Sequence, residues 1–206
     1  MTKTIFALIM ACSVPEAPPP REPLNLAIAI DTSGSMLGSS IEHVRRGLAT
    51  MAASLGPDDR VTLVTFSDAA HVHVEAVAGD STELLAAIDG VQASGQTNVY
   101  AGLRAAFEAT ERHADPQRRN RVVLLSDGQA TTGLVHDPRL LTMARAYGAV
   151  GLPLHTIGLG LEFDPKLLRA LAERGGGTFS AVEDPEAVDH AFAIAGLVRA
   201  EAPPPG

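Results

Sequence analysis

Apolar stretches of strand length alternate along this chain with stretches whose apolar residues recur every three or four positions. Leu24 to Ile30 (LNLAIAI) is apolar nearly throughout, the pattern of a central strand covered on both faces. In Ser40 to Leu55 the residues Ile41, Val44, Leu48, Met51 and Leu55 fall on one helical face. Arg60 to Phe66 predicts a second strand. His71 to Val77 alternates polar and apolar after a short turn, which predicts a half-exposed, antiparallel edge strand. Thr82 to Ile88 predicts a short helix and Val99 to Arg112 a longer one. Arg121 to Ser126 (RVVLLS) predicts a fourth strand and Pro153 to Gly158 (PLHTIG) a fifth.

Three later helices share one start signal, an Asp followed by Pro: Asp137-Pro138, Asp164-Pro165 and Asp184-Pro185. The aspartate accepts from free amides of the first turn, and proline loses nothing there by lacking its own N–H. The last of these helices is expected over Pro185 to Val198. Gly175 to Ser180 reads as a turn into a sixth strand. Strands alternating with helices predict an α/β fold, a Rossmann-like, doubly wound, mostly parallel six-stranded sheet flanked by helices. In such sheets ligands sit at the carboxyl ends of the strands, where the winding reverses.

At 206 residues, 46% hydrophobic and 19% charged, the chain has material for one well-buried core. Its net charge of −8 argues against nucleic-acid binding, which needs clustered Lys and Arg. The basic cluster Arg118, Arg119 and Arg121 reads as a solvated loop ahead of a strand. The folded unit spans residues 24–199, between a Pro-rich linker at 13–23 and a Pro-rich tail at 200–206. The linker is expected to be extended, at about 3.1 Å per residue. Residues 1–12 are expected to be a lipoprotein signal: Lys3 precedes an apolar run, and Ile9-Met10-Ala11-Cys12 resembles the lipobox that ends in an acylated cysteine. Cys12, the single cysteine, is then the lipidation site, and the chain is expected on the bacterial cell envelope, touching the membrane through a lipid anchor only. A cytoplasmic location is the alternative.

Candidate chemistry gathers at the strand ends. Asp31-Thr32-Ser33-Gly34-Ser35 follows the first strand, with oxygen-bearing side chains at alternate positions and a glycine for the turn. Asp127 follows the fourth strand, in Ser126-Asp127-Gly128. Thr97 stands in Gly95-Gln96-Thr97-Asn98, just ahead of a helix. If the first and fourth strands are neighbours, the three loops converge. Hard oxygen donors without His or Cys suit Mg²⁺, with Mn²⁺ or Ca²⁺ as alternatives.

D-x-S-x-S, a threonine ahead of a helix and an Asp-Gly after a later strand together resemble the metal-ion-dependent adhesion site of von Willebrand factor type A domains. The resemblance runs through nearly all of Leu24 to Arg199, and every position of the motif is present: Asp31, Ser33, Ser35, Thr97 and Asp127. It implies that the hydroxyls of Ser33, Ser35 and Thr97 contact a divalent cation held by the aspartates directly or through water. It further implies a non-enzymatic module whose metal takes an Asp or Glu of a protein partner. A cytosolic adaptor for an AAA-type ATPase is the alternative within the family. A metal-dependent hydrolase would need a general base, and Asp31 and Asp127 are both committed to the ion.

Other motifs fall short. Ser33 interrupts the Asp-Thr-Gly of aspartic proteases and replaces the second Asp of dehalogenase-type phosphatases. No phosphate-binding G-x-x-x-x-G-K-[ST] occurs, and Gly158-Leu159-Gly160 lacks the third glycine of a dinucleotide site. His71 and His73 share a face of the edge strand but lack a third ligand, and His155 reads as a packed core histidine.

Overall fold

The computed structural model describes residues 22–128, 138–184, 187–188 and 191–192. Cys12, residues 13–21 of the linker, the tail and most of the helix expected over Pro185 to Val198 lie outside the described residues.

The strands are β1 (Leu24–Asp31), β2 (Arg60–Phe66), β3 (Ala70–Ala78), β4 (Arg119–Ser126), β5 (Leu154–Leu159) and β6 (Gly176–Val182). They form one sheet in the order β3-β2-β1-β4-β5-β6. All neighbours are parallel except β2 and β3, which are antiparallel as the alternation in His71 to Val77 predicts. Helices α1 (Ser39–Ala53), α2 (Thr82–Asp89), α3 (Val99–Arg112), α4 (Pro138–Ala149) and α5 (Pro165–Arg174) connect them.

Alternate residues of β1 enter two cores. Leu24, Leu26, Ile28 and Ile30 pack with Val44, Leu48 and Met51 of α1, Leu84 and Ile88 of α2, and Val188, Ala191 and Phe192. Ala27 and Ala29 face Leu103, Ala106 and Phe107 of α3, beside Leu140 of α4 and Leu168 and Leu171 of α5. The small alanines leave room for α3 to lie close to the sheet. Gly102 takes this furthest, since a Cβ there would collide with the Phe66 ring.

Asp164 caps α5 as expected, accepting from the amides of Lys166 and Leu167 at 3.0 Å. Arg121 lies in β4 as expected, but Arg119, expected in the loop ahead of the strand, is also a residue of β4; they pair with Leu26 and Leu24 of β1, because the ladder runs on past the end of the apolar core. Arg121 donates to Nε2 of His155 at 2.8 Å. His155 is buried, as a packed histidine should be.

Strand β3 is not straight. Its register against β2 shifts on either side of the Leu63–Val74 pair. Beyond it, Ala76 adopts φ 51°, a left-handed conformation that costs a non-glycine residue energy. The Ala76 amide donates instead to the Thr62 hydroxyl, at 3.0 Å.

Candidate metal centre

The chain runs from β1 outward to β2 and β3, then returns to the other side of β1 for β4. The winding therefore reverses between β1 and β4, whose carboxyl ends carry Asp31 and Asp127. The register Ile30 opposite Leu125 places Asp31 alongside Ser126.

Leaving β1, the backbone makes a 3-10 turn over Gly34–Met36, and Met36 is fully buried in the core. That anchor holds the loop down while Ser33 and Ser35 line a cleft of about 620 Å³. Backbone bonds tie the loop sideways. Thr32 donates from its amide and its hydroxyl to the Phe66 carbonyl, at 2.8 and 3.1 Å, and Gly34 donates to the Gly95 carbonyl at 3.0 Å. Gly95 has φ 83°, and a Cβ there would strike the Asp68 carboxylate, so this crossing point requires glycine. Thr97, 4% exposed, lines the same cleft. Its neighbour Asn98 caps α3, accepting from the Ala101 amide at 3.1 Å, and its own amide donates to the Ser67 carbonyl at 2.9 Å.

The side chains form a directed chain. Ser35 Oγ donates to Asp127 Oδ1 at 2.7 Å, which spends its proton, so Ser33 Oγ must be the donor in the 3.0 Å bond between the serines. Asp31 Oδ1 accepts from the Ser33 amide at 2.9 Å, and Asp31 Oδ2 from the Ser126 hydroxyl at 2.7 Å. Each hydroxyl proton points along the chain, leaving oxygen lone pairs for another partner.

Burial pushes the Asp31 carboxyl above its usual range, against the pull of the hydrogen bonds from Ser126 and Ser33. Burial also raises Asp127; the Ser35 bond offsets part of this, and the negative charge of Asp31 adds to it. Among the described residues no cation compensates either group. Two desolvated carboxylates beside hydroxyl oxygens are costly alone and suit a hard divalent cation. Among the described residues no three His, Cys, Asp or Glu side chains lie close enough to hold a metal, so hydroxyls and water would have to complete the shell.

All five residues singled out in the sequence therefore meet in one region: Asp31 and Asp127 at adjacent strand ends, Ser33, Ser35 and Thr97 on the cleft. Sequence reasoning missed Ser126 and Glu162. Ser126 ends β4 immediately before Asp127, and only the register with β1 reveals that it orients Asp31. Glu162 reaches the cleft from the loop after β5. His71 and His73 are elsewhere, on β3; His73 shares a 2.8 Å hydrogen bond with the Thr65 hydroxyl.

A doubly wound sheet with hydroxyl and carboxylate side chains on the loops at its reversal point defines a class of open α/β domain. The chain belongs to the von Willebrand factor type A family, whose profile matches residues 25–193. It is 28% identical to an uncharacterized protein of Synechocystis, over 84% of this chain and 40% of that one. The chain thus spans less than half the length of that relative. A solved von Willebrand factor type A structure from Catenulispora acidiphila superposes with a TM-score of 0.69 at 23% identity, over 82% of this chain and 41% of that one. Proximal thread matrix protein 1 of the mussel byssus, solved with zinc in its adhesion-site motif, superposes with a TM-score of 0.66 at 21% identity, over 85% of this chain and 45% of that one. Domains of this family are in general protein-interaction modules.

Proposed function

We propose that this domain is a non-enzymatic, divalent-metal-dependent module that grips an acidic side chain of a protein partner. In this reading Asp31, Ser33, Ser35, Thr97 and Asp127 hold one cation, Mg²⁺ in the first instance. The observation that carries it is the chain from Ser33 through Ser35 to Asp127: hydroxyl protons committed to neighbours, lone pairs on an open cleft, and two buried carboxylates without a cation among the described residues.

When bound, the ion supplies a Lewis-acidic position for a carboxylate oxygen. The chain's own residues set how strongly. Neutral hydroxyls in the shell withdraw less of the ion's charge than carboxylates would, so the attraction for an incoming Asp or Glu is kept. Ser126 holds Asp31 in place, and Met36 fixes the loop that carries both serines.

We further propose that the module is tethered to the bacterial envelope through Cys12, with residues 13–23 as the spacer. Metabolic labelling with a fatty-acid analogue that marks wild-type protein and not Cys12→Ser tests this part separately.

The central test is a calorimetric titration of Mg²⁺, Mn²⁺ and Ca²⁺ into chelator-treated protein, with Asp31→Ala alongside. One saturable site that Asp31→Ala removes is the expected result. Absence of heat and of thermal stabilisation with all three ions would sink the metal reading.

A further inference from the structure

The cleft has a second chemical feature, independent of the motif. Its lining is Ser33, Gly34 and Ser35 from one loop, Gly95, Gln96 and Thr97 from another, Gly128, and Glu162. Among the described residues of that lining Glu162 is the charged side chain, and none is Lys or Arg. Glu162 is exposed, and among the described residues no cation pairs with it. It does not join Asp31 and Asp127 as a third ligand, since no such group of three exists among the described residues.

Its position is set from both sides. On one side Gly160 donates to the Val182 carbonyl at 2.8 Å. On the other, Phe163 packs over Gly158, where a Cβ would collide with its ring, and sits 6.1 Å from the Phe179 ring centre. Asp164 then caps α5. Glu162 thus stands on a short loop clamped at both ends, held at the cleft's wall.

The charge balance follows. A divalent cation neutralises Asp31 and Asp127, and among the described residues that line the cleft Glu162 is then the one that carries a negative charge. An acidic side chain arriving at the ion brings a second negative charge into the same space, and within a Debye length the two repel. A partner that carries a Lys or Arg beside its acidic residue turns that repulsion into attraction. We propose that Glu162 is a specificity-determining residue that selects partners in which the metal-seeking acidic residue is flanked by a basic one. The inference rests on the metal reading above.

The test uses the full chain loaded with Mg²⁺, followed by amide chemical shifts at low salt during titration with two capped tripeptides, acetyl-Gly-Glu-Gly-amide and acetyl-Arg-Glu-Gly-amide. Wild-type protein should prefer the Arg-Glu peptide by roughly threefold to tenfold, less at high salt. Glu162→Gln should abolish most of that preference, and Glu162→Arg should reverse it. Glu173→Gln, near the other end of α5, removes the same charge from the molecule and should leave the preference intact. Equal preference in wild type and Glu162→Gln overturns the inference while leaving the metal reading standing. If neither peptide shifts any resonance in a Mg²⁺-dependent way, the carboxylate-binding reading fails and takes this inference with it.

Discussion

Ser126 and Asp31, the terminal residues of β4 and β1, are joined by a 2.7 Å hydrogen bond in which the serine hydroxyl donates to Oδ2 of the buried carboxylate. The bond crosses the point where the sheet's winding reverses, so Asp31, a proposed metal ligand, is oriented by the strand that also delivers Asp127. Ser126→Ala leaves Oδ2 buried without that donor. Its expected cost is about 1–3 kcal/mol of folding stability in chelator, read by urea denaturation. Mg²⁺ affinity should fall as well, although Ser126 is not in the motif. Unchanged calorimetric affinity in a folded Ser126→Ala protein would show that Asp31 does not need the restraint.

The raised carboxyls make a signed prediction for the metal-free protein. A carboxyl whose folded pKa lies above its unfolded value contributes stability that is complete below the unfolded pKa and is lost as pH rises through the folded one. At neutral pH, therefore, Asp127 penalises the empty fold. Asp127→Asn keeps an acceptor for Ser35 and removes the charge. In chelator it should melt higher than wild type, by about 2–5 °C. With Mg²⁺ at a hundred times the wild-type Kd, wild type should gain about 2.7 kcal/mol and the variant close to nothing. A variant that melts lower than wild type in chelator would contradict the electrostatic account.

His155 sets a second pH dependence at the opposite end of the sheet. Burial, together with the positive charges of Arg121 and Arg119, lowers its pKa from 6.5 to about 4. Arg121 donates to Nε2 at 2.8 Å, and Nδ1 shares a 2.9 Å hydrogen bond with the Thr178 hydroxyl and faces the Thr178 amide donor at 3.3 Å. Protonating Nε2 would set two donors against each other. The stability from this neutral histidine is complete above pH 6.5 and is lost as pH falls toward 4. Between pH 6.5 and 5 the expected loss is about 1.5 kcal/mol, seen as a lower urea midpoint. His155→Gln should flatten that slope; an unaltered slope would assign it to other groups.

At the start of α5, Asp164→Ala removes the acceptor for two amides and should cost about 1 kcal/mol, measured by chemical denaturation. The cap lies two residues beyond Glu162. Asp164→Asn, which retains the acceptor, should recover most of the stability.

Local chemistry made much of this fold legible. β2 and α3 occupy the spans that periodicity assigns, Arg60–Phe66 and Val99–Arg112, because both are bounded by polar turns and patterned throughout. β4 begins at Arg119, two residues before the expected start at Arg121, since backbone pairing with β1 does not require apolar side chains at the sheet's margin. The 3-10 turn over Gly34–Met36 is too short for a periodic signal, and its cause, the burial of Met36, is tertiary. The candidate site divides in the same way. Asp31, Ser33, Ser35, Thr97 and Asp127 are legible because their spacing repeats a family motif. Ser126 and Glu162 are not, because one depends on strand register and the other on where the loop after β5 comes to rest.

The bend in β3 bears on how this domain meets other proteins. A long, straight edge strand invites a second copy to extend the sheet, which is how many β-rich surfaces aggregate. Here the shifted register and the left-handed Ala76 interrupt the outer row of backbone donors and acceptors, and Glu75 is held against Arg112 and His113. Strand addition along β3 is thereby obstructed. The sheet is thus obstructed along that side, while the carboxyl end of its central strands, where the proposed metal site lies, is untouched by the bend.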